Sequence, residues 1–325
     1  MVRRLAARSA DALALVSLLV AGGCGQSSPA AGPHAAGRPQ VITEGLPKTV
    51  DGRLVLAIAP ATPDNTLQYE VSIGGCMLKE CPIFVSLVEA GRVLDQTHTR
   101  WRGTSRQAMR EDITAGWGVG DPGGAPQGMR AWATGLDEDY VGTAARVVAL
   151  TGRMHGLLID QRTGFPNTKR HHELFVHSDR RLQRAWSAGE RAGTAWTSTA
   201  VAPAENGRER VVFFDGARES QSDRPDTLNI ARLEWDDARQ TVAPQPAAID
   251  ASVIAGFQTV AAARAAQSAR PDCLGAFWVL PAASVDGAAK GGFVLVMPSV
   301  DRDRARASAR CASDRKPEMR RLVPN

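Results

Sequence analysis

Three short stretches of the sequence carry side chains whose types and spacing could support binding or catalysis. The first, "HHELFVH", contains His171, His172, Glu173 and His177. A zinc-protease helix needs two histidines four residues apart, so that both imidazoles reach one ion, whereas His172 and His177 are five apart. On a strand, His171, Glu173 and His177 would share one face. The pattern favours a solvated strand face, with a metal site on that face as the alternative.

The second stretch contains Gly118, Gly120 and Gly123, which spell G-x-G-x-x-G within "TAGWGVGDPGGAPQGMRAW". A dinucleotide fingerprint requires a buried strand before the glycines and a helix after them, because the helix amino terminus holds the pyrophosphate. The preceding "SRQAMREDITA" is no such strand, and Pro122 and Pro126 would break a helix at the glycines. The stretch is therefore predicted to be a long loop that binds no cofactor.

Trp117 and Trp132 flank this predicted loop. Long loops in compact domains are often binding loops, and tryptophans in them can stack on sugars or fill pockets of a partner protein. The alternative is that both indoles fold back over the core. Trp117 and Trp132 are the candidate binding residues of the chain.

The third stretch, "AWSAG", places Ser187 in a sequence close to the G-x-S-x-G nucleophile elbow, but Ala185 occupies the position of the first glycine. That glycine relieves the strain of the elbow, so Ser187 is not predicted to be a nucleophile. The acidic runs at residues 137–139 and 236–237 lie in polar, turn-like sequence and indicate solvated carboxylates. No catalytic residue, metal ligand or cofactor is predicted.

The amino-terminal residues have the layout of a secretory signal. Arg3, Arg4 and Arg8 precede an apolar run over residues 12–21, followed by small residues and Cys24. That run is half of the roughly 20 residues that a membrane-spanning helix needs. Residues 1–23 are therefore predicted to be a signal peptide.

The sequence "LLVAGGC", which ends at Cys24, resembles the lipobox of bacterial lipoproteins. It departs from the usual pattern at Ala21, where Leu or Val is commoner. The resemblance implies a lipid-modified, palmitate-carrying Cys24, and Gln26 implies the periplasmic face of the outer membrane. The alternative is simple cleavage at the same point. Residues 24–46, rich in Pro, Ala, Gly and Ser, are predicted to be a flexible tether.

Four further cysteines, an even number, suggest two disulfides in an exported chain. Of the three connectivities, we predict Cys76 with Cys81 and Cys273 with Cys311. The net charge of +5 over 325 residues does not indicate a nucleic-acid partner.

Residues 47–246 are predicted to form a β-rich domain, because short apolar or alternating runs are separated there by Gly, Asp, Asn and Pro. Three stretches, beginning at Ile83, Leu174 and Leu228, share the pattern strand, polar turn, strand. Asp160 and Asp215 end the apolar runs that precede the last two, and they are 55 residues apart. This spacing fits antiparallel propeller blades but also a sandwich or an irregular meander.

Residues 247–325 are predicted to form a smaller α+β region. A helix is expected between Asp250, as its cap, and Pro271, with Val253, Phe257 and Val260 on one face. The runs "GAFWVLP" and "GGFVLVMP" are expected to be strands, and a second helix is expected to begin near Asp301.

These features predict a lipid-anchored periplasmic protein that binds another protein of the envelope, in one version as an immunity or accessory lipoprotein. The alternative is a carbohydrate-active hydrolase on a propeller-like fold, with Asp160 or Asp215 near strand ends. In that case both carboxylates should converge with arginines at one end of a central channel.

Overall fold

The computed structural model describes residues 40–42, 46, 48–74, 80–100, 103–104, 130–134, 141–163, 169–188, 195–205, 208–219, 223–275, 277–288, 291–299 and 317–324. All of them belong to one compact unit, Pro39–Asn325. This unit is mostly antiparallel β-structure with a small helical layer near its carboxyl end, as the sequence predicts.

Four main sheets follow one another along the chain, and we number them 1 to 4. Sheet 1 contains, in spatial order, β1 (Lys48–Val50), β2 (Arg53–Pro60), β3 (Leu67–Ile73), β5 (Ile83–Glu89) and β6 (Arg92–His98). Sheet 2 contains β8 (Arg130–Thr134), β9 (Val141–Ala149), β10 (His155–Thr163), β11 (Arg170–Ser178) and β12 (Arg181–Ala188). A separate two-stranded pair consists of β4 (Glu80–Cys81), which lies between β3 and β5 in the sequence, and β7 (Gly103–Thr104), which lies between β6 and β8.

Sheet 3 contains β13 (Ala195–Glu205), β14 (Arg208–Ala217), β15 (Thr227–Asp236) and β16 (Thr241–Pro246). Sheet 4 has the spatial order β18 (Trp278–Pro281), β19 (Phe293–Pro298), β17 (Ile249–Phe257) and β20 (Glu318–Leu322). The helices are α1 (Val260–Ala269) and α2 (Pro271–Leu274), and a 3-10 turn spans Ala282–Ser284.

Each sheet packs face to face on the next one. Tyr69 and Val85 of sheet 1 share a buried cluster with Leu157 and Phe175 of sheet 2. The other faces of β10 and β11 share a second cluster with Val201 and Val211 of sheet 3. The central strands of sheet 2 are therefore buried on both faces.

The row continues from sheet 3 to sheet 4, where Phe214 and Leu228 pack with Trp278 and Val296. Helix α1 covers the outer face of sheet 4, and its Ala263 shares a cluster with Leu295 and other buried residues. No buried cluster of the described residues joins sheet 1 to sheet 4, so the described sheets form an open row and not a closed propeller.

The three similar stretches in the sequence are equivalent hairpins of successive sheets. They form β5–β6 in sheet 1, β11–β12 in sheet 2 and β15–β16 in sheet 3, in each case the last two strands of the sheet. The tip of the first has positive φ at Ala90 and Gly91 (48° and 79°), which is the backbone of a tight two-residue turn. The prediction of successive antiparallel hairpins is confirmed.

The prediction of a helix between Asp250 and Pro271 is wrong in its first half. Residues Ile249–Phe257 form β17, which pairs with β19 on one side and β20 on the other. Helix α1 begins only at Val260, after Thr259, whose hydroxyl accepts a hydrogen bond from the amide of Ala262 at 3.1 Å. Pairing on both edges outweighs the helical spacing of the apolar residues here, and the β-branched Val253 and Ile254 suit a strand.

Both apolar runs expected as strands near the carboxyl end are found as β18 and β19. The second helix, expected near Asp301, falls on residues 301–316, outside the part of the chain that the structure describes.

Gly216 in β14 marks a close approach between sheets 3 and 4. A Cβ atom there would collide with the carbonyl oxygen of Thr227 and lie 3.1 Å from the Trp278 ring. We expect Gly216→Ala to lower the free energy of unfolding by about 1–3 kcal/mol, because a backbone oxygen cannot move aside cheaply. Urea unfolding measures this, and Gly152→Ala, at a turn position with open space around it, is the matched control. Equal stability of the two variants would contradict the packing described here.

Candidate functional site

A carboxylate, an imidazole and two hydroxyls form a hydrogen-bonded group between sheets 2 and 3. The Asp160 Oδ1 atom lies 2.7 Å from His172 Nδ1. The other imidazole nitrogen, His172 Nε2, lies 3.0 Å from Thr197 Oγ1. Thr199 donates a hydrogen bond of 2.5 Å from its hydroxyl to Asp160 Oδ2. We call these four residues the interlayer network.

Strand register explains why the interlayer network forms. Asp160 of β10 and His172 of β11 are direct cross-strand partners, so their side chains leave sheet 2 on the same face. Thr197 and Thr199 are two residues apart on β13, so both hydroxyls point to the same face of sheet 3. The two sheets therefore bring these polar side chains together across their interface.

The interlayer network is almost completely enclosed. The exposed fractions are 4% for Asp160, 2% for His172, 5% for Thr197 and 4% for Thr199. Phe213 of β14 approaches the His172 ring edge to face, with centroids 5.8 Å apart. Both carboxylate oxygens and both ring nitrogens have partners within the chain, as a buried polar group requires if it is to avoid an unpaired desolvation cost.

The order carboxylate, imidazole, hydroxyl is also the order found in nucleophilic catalysis. With Asp160 accepting from Nδ1–H, the neutral imidazole presents Nε2 as an acceptor for the Thr197 hydroxyl. Chemically, this arrangement can either activate a hydroxyl or fasten two sheets together. Its burial and its internal hydrogen bonds favour the second role.

Asp215 lies near the interlayer network on the neighbouring strand. It is the cross-strand partner of Thr197, on β14. Arg170 of β11 reaches the same place and donates from Nη1 to the carbonyl oxygen of Thr197 at 3.4 Å. Asp160 and Asp215 thus come from facing sheets to one end of the interface, together with an arginine.

A second polar group occupies the opposite face of β11, between sheets 1 and 2. Glu173 Oε1 lies 2.5 Å from Arg184 Nε and 3.8 Å from His171 Nε2. Its Oε2 accepts from the backbone amide of Arg100 at 3.0 Å. His171 and Glu173 are fully buried, so the prediction of a solvated strand face is wrong. The cause is that sheets 1 and 3 cover both faces of β11.

The predicted alternative of a metal site at His171, Glu173 and His177 has no support in the described part of the chain, where no group of three or more ligating side chains could hold an ion. His177 instead directs Nε2 to the carbonyl oxygen of Ala61 at 3.2 Å. Ser187 lies exposed on β12, opposite Glu173.

Of the two candidate binding tryptophans, the structure describes only Trp132. Trp132 belongs to strand β8 and pairs with Thr143, so the predicted loop ends before it. Trp117 and the three glycines of the G-x-G-x-x-G pattern lie outside the described residues. The prediction that the tryptophans bind a partner stays a prediction.

Of the five cysteines, the structure describes Cys81 and Cys273. Cys81 in β4 is buried and disulfide-bonded, but its predicted partner Cys76 lies outside the described residues, so this pairing stays a prediction. Cys273 belongs to α2, whereas Cys311 and the predicted lipidation site Cys24 fall on residues that the structure does not describe.

The interlayer network was missed in the sequence because Thr197 and Thr199 show no motif. One signal was present: the polar "HHE" of β11 is followed directly by "LFV" in a strand whose neighbours "HGLLID" and "RVVALTG" are strongly apolar. Three consecutive polar residues in such a strand indicate a polar layer inside a stack of sheets.

None of the helices in the described part of the chain combines the length and apolar character that a membrane span requires. In the comparisons with known proteins, no family model, no curated protein and no solved structure matches this chain.

Proposed function

We propose that this protein is a lipid-anchored protein of the bacterial envelope that binds a partner protein. Its amino terminus carries the proposal: three arginines, a ten-residue apolar run, and Cys24 in a lipobox-like sequence. In this proposal residues 1–23 direct export, Cys24 carries the lipid on the periplasmic face of the outer membrane, and residues 24–46 tether the β domain.

The chemistry of the described interior supports a binding role. In the interlayer network, the oxygens of Asp160 and the nitrogens of His172 are all engaged by groups of the same chain. A substrate would have to break these bonds to reach the imidazole. The disulfide-bonded state of Cys81 is the state expected of an exported chain.

The anchor is tested by metabolic labelling with radioactive palmitate followed by membrane fractionation. We expect the full-length chain to carry the label and to sediment with outer membranes. Cys24→Ala should lose the label and leave the membrane fraction, because the thiol is the only acylation site in the proposal. Ser28→Ala, four residues further along the tether, is the matched control and should behave as wild type. An unlabelled, uncleaved wild-type chain in the cytosol would contradict the proposal.

Binding is tested in the same envelope, with a photo-crosslinking amino acid at Trp117 of the full-length lipoprotein. We expect one stoichiometric partner, because a specific interface places this indole against a single protein. Alanine at the same position should weaken capture of that partner by native affinity purification at least tenfold, which corresponds to about 1.4 kcal/mol of binding free energy. Several weak partners, or none, would contradict a dedicated binding role. If the captured partner is an envelope enzyme, its inhibition by the purified lipoprotein distinguishes an immunity protein from a scaffold.

A second candidate, the carbohydrate-active hydrolase, is favoured by one observation. Asp160 and Asp215 come to the same end of the interface between sheets 2 and 3, where Arg170 contacts the backbone of Thr197. Release of reducing ends from envelope polysaccharides by the purified full-length protein tests this candidate. Activity that is lost in Asp215→Asn while the unfolding midpoint is retained would support it, and an inactive wild-type protein would remove it.

A further inference from the structure

Two histidines bridge sheets 1 and 2 where β2 ends. His155, the first residue of β10, directs Nδ1 to the carbonyl oxygen of Pro60 at 3.3 Å. His177, near the end of β11, directs Nε2 to the carbonyl oxygen of the next residue, Ala61, at 3.2 Å. The backbone amide of His155 also donates to Ala61, at 2.9 Å.

Tyr69 completes this junction from sheet 1. Its hydroxyl donates a hydrogen bond of 2.8 Å to the backbone carbonyl of His155, and its ring lies 6.3 Å from the His177 ring, centroid to centroid. Burial raises the pKa of Tyr69, so the phenol stays protonated and keeps this bond. The junction therefore joins β2 and β3 of sheet 1 to β10 and β11 of sheet 2.

Among the described residues, Glu209 of β14 is the carboxylate that acts on His155, where it opposes the larger lowering of the pKa by burial. That carboxylate is shared with Arg146 of β9 at 3.4 Å and with the amide of Ala149 at 3.0 Å. Strand β2 contributes only backbone carbonyl oxygens, and β3 contributes Tyr69. A second proton at this junction would therefore meet little compensating negative charge.

We propose that His155 and His177 form an acid-sensitive clasp between sheets 1 and 2. Ring N–H groups hold the end of β2 against sheet 2, and a second proton on each enclosed imidazole, which the closed junction desolvates, shifts this junction towards its open state. The clasp is independent of the proposed binding function, since none of its residues belongs to the interlayer network.

The direction of the effect follows from the ionisation of both groups. Burial lowers the pKa of His155 and of His177, and this effect exceeds the opposing one of the hydrogen bonds to Pro60 and Ala61; the nearby His177 lowers the pKa of His155 further. Because both pKa values lie below the ordinary histidine value in the closed state, protons bind more tightly when the junction is open. The closed junction is fully stable above about pH 6.5, the ordinary pKa. Its stability falls as the pH decreases below that value, down to the lowered pKa values of the closed state.

Hydrogen–deuterium exchange of the native full-length protein tests the clasp. The reporters are peptides covering residues 60–70 and 150–158, with exchange corrected for its intrinsic pH dependence. We expect the opening constant to rise as the pH falls from 6.5 to 5.5, because each histidine binds its second proton more tightly in the open state. The logarithm of this constant should rise with a slope above zero and no greater than two, the limit for two linked protons. Peptides within residues 249–257 of sheet 4 should show no such rise.

Two conservative variants remove titration but keep a donor amide at the matching position. His155→Asn replaces Nδ1, and His177→Gln replaces Nε2. Each single variant should reduce the slope, because one proton is then no longer linked to opening, and the double variant should abolish the slope. His98→Gln, an exposed histidine of β6, is the matched control and should leave the slope unchanged. A double variant with the wild-type slope would overturn the proposal.

A measurement on the unmodified protein guards against variants that fail to fold. In the wild-type protein, NMR titration of the imidazole Cε1–H signals should show His155 and His177 titrating below the ordinary histidine value. Titration of either residue at or above that value would overturn the clasp in the same way.

Discussion

Replacement of Asp160 by alanine is expected to lower the free energy of unfolding by about 2–6 kcal/mol, because two enclosed donors each lose their acceptor at a cost of about 1–3 kcal/mol. The carboxylate holds His172 within sheet 2 at 2.7 Å, and Thr199 across the interface with sheet 3 at 2.5 Å. Without it, the buried imidazole N–H and the Thr199 hydroxyl lose their acceptor and are too enclosed for water to replace it. Urea unfolding of the purified protein at pH 7.5 measures the change.

Two further variants define what this loss means. Asp160→Asn keeps an oxygen acceptor in place and should recover part of the stability. Glu234→Ala removes an exposed carboxylate of β15 that pairs with Arg232 on the surface, and should cost at most about 1 kcal/mol. If Asp160→Ala were no more destabilising than Glu234→Ala, the interlayer network would not hold the sheets together.

Asp226 provides the second large effect, between sheets 3 and 4. Its carboxylate is buried and accepts four hydrogen bonds: from the amides of Glu219 and Val279, at 2.9 and 2.7 Å, and from both Nη atoms of Arg264, at 2.6 and 3.3 Å. We expect Asp226→Ala to lower the free energy of unfolding by about 3–5 kcal/mol, because it leaves a guanidinium and two amides without their acceptor.

Removing the arginine as well tests whether the cost comes from the unpaired charge. Asp226→Ala combined with Arg264→Met should be less destabilised than Asp226→Ala alone, because no guanidinium then remains without its partner. Chemical unfolding of both single variants and the double variant gives the coupling energy. A coupling energy of zero would show that Arg264 stabilises α1 without help from Asp226.

The β-rich body could be predicted from the sequence because the alternation of apolar and polar residues, and the turns between strands, are visible within a few neighbouring residues. Stretches such as "LFVHSDRRLQRAW" alternate and turn within a few residues, so hairpins β11–β12 and β15–β16 follow from local pattern alone. The open row of sheets could not be predicted in the same way. Whether successive hairpins pack as a row, a sandwich or a ring depends on contacts between sheets that have no local signal.

The boundary between β17 and α1 shows where local pattern fails. Val253, Phe257 and Val260 have helical spacing, yet the first two lie in a strand. Gly256 has a φ of 92°, and the pairing of β17 with β19 shifts register between Ile254 and Phe257. The spacing therefore coincides with a bulged strand end followed by a short helix, and only tertiary pairing distinguishes the two.

The interlayer network could be predicted only in part. Asp160 stands out as the end of an apolar run, and His172 as part of a histidine-rich strand, but nothing in the sequence indicates that the two residues are cross-strand partners. Their partners Thr197 and Thr199 come from another sheet, 25 or more residues further along the chain. Because both faces of β11 are buried, its polar residues are enclosed and are not solvated as their sequence pattern predicts.

The strand order of sheet 4 has a consequence for how the chain acquires its structure. Sheets 1 to 3 use neighbouring strands, so most of their pairings have low contact order and can form early. In sheet 4, β17 lies between β19 and β20. Ile249 at the start of β17 therefore pairs with Leu322 near the end of the chain, which is a contact of high sequence separation. Trp278 and Val296 of sheet 4 pack against Phe214, so this apolar side of sheet 3 lacks its cover until sheet 4 has formed. A nascent or shortened chain without sheet 4 would therefore expose an apolar face that favours aggregation.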